Sequence, residues 1–133
     1  MARMIFVNLP VRDLRRSMAF FAALGFEFDE RFTDDNATCM LLSDNAGVML
    51  LARSFFAGFT TKDVADAESS TEAILALSAA SRAEVDGLAD RALALGARPA
   101  MAPSDGGYLY GRSFYDLDGH AWEVLWTDPV AVG

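Results

Sequence analysis

One plan is written twice in this chain: a strand, a capped helix that stops at a glycine, then three further strands. Few folds accommodate such a repeat. A helix with a single apolar stripe must be covered, and strands that alternate apolar and polar residues supply a sheet face to cover it. In the first copy, residues 4–9 (MIFVNL) suit a strand and Asp13 can cap a helix that begins at Leu14. Leu14, Met18, Phe21 and Leu24 then form a stripe of helical period, and Gly25 marks the stop. Residues 26–32 read as a strand with one wet face, Asp34-Asp35-Asn36 as a turn, and 38–42 and 48–52 as two more strands. In the second copy, residues 72–79 are strand-like, and Ser81 with Glu84 makes a capping-box signature. Val85, Leu88, Ala92 and Leu95 carry the helix to Gly96. Strands come next at 97–102 (weakened by Pro99), 108–115 and 120–127, the last after the turn Asp116-Leu117-Asp118-Gly119.

The expected architecture is α+β: two β-α-β-β-β modules forming a curved mixed sheet around a cavity, with the helices outside. The 133 residues are enough for one domain. It is divided into a module at 4–59, a polar linker at 60–70 and a module at 71–128. Phe55, Phe56 and Phe59 before the linker read as a short packed turn or as a lid over the cavity.

Composition removes several function classes. A single cysteine, Cys39, excludes an intramolecular disulfide and a cysteine-based zinc site; a single histidine, His120, excludes a multi-histidine metal site. The net charge of −8 opposes binding to nucleic acid or to anionic membranes, which need a basic footprint. No uncharged stretch approaches the roughly 18 residues of a spanning helix. The run at 4–9 is too short and broken for a signal-peptide core. A cytoplasmic, soluble protein is expected. No phosphate-cradling glycine loop, serine nucleophile motif or nucleotide fingerprint is present.

Strand parity sorts the remaining residues, because alternate side chains point to opposite faces. Ile5, Val7 and Leu9, then Ala73, Leu75 and Leu77, then Trp122, Val124 and Trp126 offer three fully apolar parities for the helix side. The opposite parities present Phe6 and Asn8, then Glu72, Ile74 and Ala76, then Ala121, Glu123 and Leu125. An apolar face with a few polar groups suits a small-molecule pocket.

The opening Val11-Arg12-Asp13-Leu14-x-x-Ser17-x-x-Phe20-Phe21-x-x-Leu24-Gly25-Phe26 and the closing Asp116-x-Asp118-Gly119-His120-x-Trp122-Glu123-Val124 resemble the vicinal oxygen chelate superfamily. That superfamily includes glyoxalase I, bleomycin-resistance proteins and extradiol dioxygenases. The resemblance spans roughly residues 4–128. It implies paired modules, often in a dimer, and in many members a divalent metal held by one residue from each of four strands. Those four positions fall here on Phe6, Leu50 (or, one residue along, Leu51), Ile74 and Glu123, so one ligand of four is retained. Hydrocarbon side chains donate nothing to a divalent ion. No metal and no other cofactor is therefore expected, and the metal-free bleomycin-resistance branch is the nearer analogue.

On this reading the pocket is lined by Phe6, Asn8, Leu50, Ile74, Tyr110, Arg112 and Glu123. Glu123 has four roles open to it: a contact to a cationic ligand, a pair with Arg112, a general base, or a leftover ligand neutralised by an internal ion pair. Tyr110 and Arg112 supply an aromatic wall and a positive donor if their parity faces the cavity, and pack elsewhere if it does not. Asn8 hydrogen-bonds a ligand or a backbone partner. His120 is expected to be structural, and Cys39 buried packing. The expected function is metal-independent small-molecule binding, of a cationic or aromatic compound, in a homodimer. The rival is a glyoxalase I-like lyase or isomerase with Glu123 as base, and a third reading is an interaction module without ligand. No catalytic residue is assigned.

Overall fold

The computed structural model describes residues 3–132 and divides the chain into two compact units, meeting between Ala65 and Asp66. Each unit is a sheet with a helix on one face, so the fold is mixed α+β, with sheets of four and five strands.

In the first unit, β1 (Ile5–Val11) leads to α1 (Leu14–Ala23), β2 (Glu27–Asp29), a 3₁₀ turn (Glu30–Phe32), β3 (Ala37–Ser43), β4 (Ala46–Ala52) and the short α2 (Arg53–Ala57). The sheet order is β1-β4-β3-β2, with β1 and β4 parallel and the other pairs antiparallel. Asp13 caps α1 by accepting from the Arg16 N–H at 3.1 Å. The chain leaves α1 through Gly25 at φ +100°, a conformation that costs any other residue a steric penalty. Leu14, Ser17, Phe20 and Phe21 are the buried residues of α1. Beneath them Thr38, Met40, Val48 and Leu50 of β3 and β4 are fully buried. Each such apolar side chain contributes about 1.5–3 kcal/mol.

The strand expected over 26–32 is cut short. The Asp29 carboxylate accepts from the Arg31 backbone N–H at 3.0 Å, and the Thr33 hydroxyl donates to the Asp29 carbonyl at 2.9 Å. These local bonds outcompete the ladder and wind 30–32 into a 3₁₀ turn.

The second unit runs β5 (Ile74–Ser78), α3 (Arg82–Ala94), β6 (Arg98–Pro99), β7 (Ser104–Asp105), β8 (Leu109–Tyr115), β9 (Ala121–Thr127) and α4 (Pro129–Val132). The order is β5-β9-β8-β6, with β7 also on β8 and β5 parallel to β9. Ser81 caps α3, accepting from the Glu84 N–H at 3.1 Å, while Glu84 reaches back to the Ala80 N–H at 3.0 Å. Val85, Ala89 and Ala92 of α3 are buried, as are Phe114, Trp122 and Val124 of β8 and β9.

Here the expected plan needs two corrections. The strand expected over 97–102 is a two-residue piece, because Pro99 brings no donor and the Met101 N–H bonds the Ser113 hydroxyl oxygen at 2.9 Å instead of continuing the ladder. A further short strand, β7, comes after it, so this unit is β-α-β-β-β-β. Among the described residues no helix is long and apolar enough to cross a membrane.

Candidate open faces of the two sheets

Each sheet has one face under its helix and one that the helix leaves open. Register assigns the side chains. In the first unit Phe6 lies beside Gly47 and Asn8 beside Met49, while β3 sets Cys39 opposite Met49 and Leu41 opposite Gly47. Glu27 and Asp29 of β2 pair with Leu41 and Cys39 and so share that face. Phe6 is 49% exposed there. Asn8 is exposed, and its side chain donates to the Phe6 carbonyl at 3.2 Å, the backbone partner that is one of its two expected uses.

Leu50 is not on this face. It lies beside Leu9, fully buried on the helix side, and its neighbours Met49 and Leu51 take the open parity. The sequence could not say so, because β4 is apolar on both parities.

A hollow of about 810 Å³ opens in the first unit, lined by Phe6, Phe26, Phe32 and Leu41 with Glu27 and Asp29 among its polar groups. Asp29 is neutralised by Arg31, which donates from Nε at 3.1 Å and from Nη2 at 2.7 Å, and this pairing holds the carboxyl below its ordinary range. Arg31 also sits 5.5 Å from the centre of the Phe32 ring. Cys39 lines the hollow but is buried; desolvation, and secondarily the Asp29 charge, raise its thiol pKa. A protonated thiol is a poor nucleophile, in keeping with a packing role.

In the second unit, β5 and β9 place Ile74 beside Ala121 and Ala76 beside Glu123, and β8 sets Ser113 opposite Glu123. Ile74 is 63% exposed. Glu123 is half-buried, and among the described residues its carboxylate makes no hydrogen bond or ion pair. Ile74 and Glu123 therefore share the open face, as their parity predicts.

Tyr110 and Arg112 do not. They pair with Trp126 and Val124 on the helix side. Tyr110 donates to Asp86 at 2.5 Å, and Arg112 donates to Asp86 at 3.2 Å and to Asp90 at 2.7 Å. Asp86 and Asp90 are four residues apart on α3, so one guanidinium spans two successive turns. Arg82 completes the cluster, 4.9 Å from the Tyr110 ring and 5.3 Å from the Trp126 ring, with two bonds to Asp105 at 2.9 and 3.0 Å. The open parity of β8 belongs instead to Gly111, Ser113 and Tyr115. The residues missed from the sequence are thus Ser113, together with Glu27 and Asp29. For Ser113 one signal was available: Phe114 shares its parity with Arg112, and a large apolar residue marks the covered face.

The closing motif has a structural explanation. Asp116 is buried and accepts from Trp122 Nε1 at 2.8 Å, the Asp118 N–H at 2.9 Å and the His120 N–H at 3.0 Å. Burial raises its pKa, against the lowering effect of His120 and of those donors. Gly119, at φ +90°, lies so near the Ala67 carbonyl that a Cβ would sit 2.7 Å from its oxygen. Asp116, Gly119 and Trp122 thus close the turn that launches β9.

Could the open faces hold a divalent metal? In the first unit β1 offers Phe6, Asn8 and Pro10, β4 Gly47, Met49 and Leu51, β3 the buried Cys39, and β2 Glu27 and the Arg31-paired Asp29. In the second, β5 offers Ile74, Ala76 and Ser78, β9 Ala121, Glu123 and Leu125, and β8 Ser113. Thioether and amide groups are weak partners for hard or borderline divalent ions. Among the described residues no three His, Cys, Asp or Glu side chains are grouped to hold a metal ion. Taken by itself, neither unit's open face groups donors that fit one.

The family model described as glyoxalase/bleomycin resistance protein/dioxygenase superfamily matches residues 3–124. No curated protein matches the chain. Among solved structures, the hypothetical protein SA1046 from S. aureus is 27% identical, with 95% of each chain covered and a TM-score of 0.80. A glyoxalase/bleomycin resistance protein/dioxygenase family enzyme from Burkholderia phytofirmans PsJN is 20% identical, with 95% of this chain and 99% of that one covered and a TM-score of 0.77. Fosfomycin resistance protein FosX from Mesorhizobium loti is 18% identical, with 99% of this chain and 95% of that one covered and a TM-score of 0.65. The latter two share the fold alone. With the motifs at both ends explained and the family matched over most of its length, the chain belongs to the glyoxalase/bleomycin resistance protein/dioxygenase superfamily.

Proposed function

We propose that this chain is a cytoplasmic small-molecule-binding protein of the glyoxalase/bleomycin-resistance type that holds its ligand without a divalent metal. One observation carries the reading: on β1, β4, β5 and β9, the strands that hold the metal in the resembling enzymes, the open parities carry hydrocarbon, an amide, a thioether and a hydroxyl, with one carboxylate, Glu123, on β9. The exchange of Leu50 for Met49 and Leu51 leaves the argument standing, since neither suits a hard cation. A cationic, aromatic ligand fits the first unit best. Phe6 and Phe26 line its hollow, Arg31 there is already paired with Asp29, and Glu27 is an exposed carboxylate that, among the described residues, has no arginine on it. Homodimer formation is part of the proposal on family grounds, and a light-scattering mass near that of one 14.4 kDa chain would remove it.

The second reading is a lyase or isomerase acting on a glutathione-type adduct, and the unpartnered Glu123 favours it, because a general base needs a carboxylate free to take a proton. The test joins two measurements on the purified chain. Benzyltrimethylammonium should shift backbone amide resonances around Phe6, Glu27 and Leu41, equally with and without EDTA. Methylglyoxal-glutathione turnover should stay at background with nickel or zinc added. Robust metal-dependent turnover would overturn the proposal, as would binding that EDTA abolishes.

A further inference from the structure

We infer that Ser113 and Glu123 form a donor–acceptor pair that selects the ligand group bound on the open face of the second unit. The group they take presents an N–H or O–H beside a carbonyl or hydroxyl oxygen, as a primary carboxamide does. This inference rests on the small-molecule reading above and adds to it a chemical class and a specificity residue.

Ser113 on β8 lies directly opposite Glu123 on β9, so both side chains stand on one face, with Cβ atoms about 5 Å apart. A serine hydroxyl has one proton to donate and two lone pairs. Here the Met101 N–H, at 2.9 Å, already occupies the oxygen. That bond fixes the hydroxyl in place and leaves its proton for another acceptor. The structure has no hydrogen bond between the Ser113 and Glu123 side chains, and the Glu123 carboxylate accepts none from any other described residue. An ionised carboxylate only accepts. Side by side, then, stand a positioned donor and a half-buried acceptor, each with capacity to spare.

On the β5 side Glu123 has a small, exposed neighbour, Ala76, which does not cover the carboxylate. A half-buried carboxylate without a partner carries a desolvation cost that a ligand N–H or O–H relieves. A simple ammonium would satisfy Glu123 and ignore Ser113. A ketone would use Ser113 and leave the carboxylate unpaired. A carboxylate ligand would be repelled. A group that both donates and accepts, as a primary carboxamide does through the N–H and C=O on one carbon, uses both residues.

The test uses the ¹⁵N-labelled full chain and three aromatic probes: benzamide with both functions, acetophenone with an acceptor only, and benzylammonium with donors only. Benzamide should shift the Met101, Ser113 and Glu123 amides and bind at least about fivefold more tightly than either other probe, the worth of one added hydrogen bond. Ser113→Ala should erase that preference, Ser113→Thr should keep it, and Glu123→Met should reduce benzamide to the level of acetophenone. Unchanged amide dispersion in each variant establishes that it folds. Should acetophenone or benzylammonium bind as well as benzamide, or Ser113→Ala leave the order unchanged, the pair is refuted while the binding reading stands. If no probe binds at millimolar concentration, the pair is refuted together with the claim that this face takes small molecules.

Discussion

Asp116 shows how a motif can identify a fold without belonging to a binding site. Its carboxylate gathers the indole N–H of Trp122 and the backbone N–H groups of Asp118 and His120. Replacing it with alanine leaves the buried indole donor without that partner, at a cost of about 3 kcal/mol. Chemical denaturation of Asp116→Ala should show a loss of that size with no change in ligand affinity. Gly119 separates strain from crowding. Alanine at Gly25 meets open space and costs about 1 kcal/mol of backbone strain, whereas alanine at Gly119 adds a clash with the Ala67 carbonyl and should cost at least twice that. Asp105 gives a prediction in pH. The Arg82 guanidinium, and then the Gly107 N–H, lower its pKa from 3.8 to about 2. A depressed carboxyl stabilises the fold only while ionised, so its contribution is present above the unfolded value of 3.8 and is lost as pH falls through about 2. The Tm gap between the native chain and Asp105→Asn should therefore hold steady down to about pH 4 and close below it.

At the scale of elements, what the sequence revealed depended on whether each strand carried one apolar parity or two. The helices α1 and α3, their caps at Asp13 and Ser81, and the parities of β1, β5 and β9 were legible, because a wrong parity would expose a row of large apolar residues; in α3 the buried face is Val85, Ala89 and Ala92, and Leu95 lies off it, exposed. β4 gives no such contrast, since Val48 and Leu50 alternate with Met49 and Leu51, and so nothing in its sequence keeps Leu50 out of the pocket. β8 misleads in another way. Tyr110 and Arg112 resemble ligand-gripping residues, yet both are long enough to lie on the covered face and reach the carboxylates of α3 with their polar ends. Arg112→Met decides between these uses. Arg112 is 19% exposed between two more exposed aspartates, so losing it should cost only about 1 kcal/mol. Binding of benzyltrimethylammonium or benzamide should be unchanged in this variant, because the side chain lies on the far side of its strand from Ser113.

For the whole molecule, the question is what kind of charge the chain can hold. Its net charge of −8 draws cations of every sort, so loose attraction of divalent ions to the surface is expected and proves nothing about a site. A built site differs in energy from such an atmosphere. With 1 mM metal and a site of micromolar affinity, mass action adds about 4 kcal/mol to folding stability, which for a chain of this size raises Tm by roughly 10 °C or more. Diffuse binding screens repulsion among carboxylates and is matched by ordinary salt. Nickel, zinc and manganese at 1 mM in 150 mM sodium chloride should therefore move Tm by less than about 2 °C, and magnesium should do the same. A rise near 10 °C for one transition metal and not for magnesium would mean that ligands converge on Glu123 in a way the strand registers do not predict. Substituting Glu123 with glutamine would then abolish the rise, and the metal-free reading would fall with it.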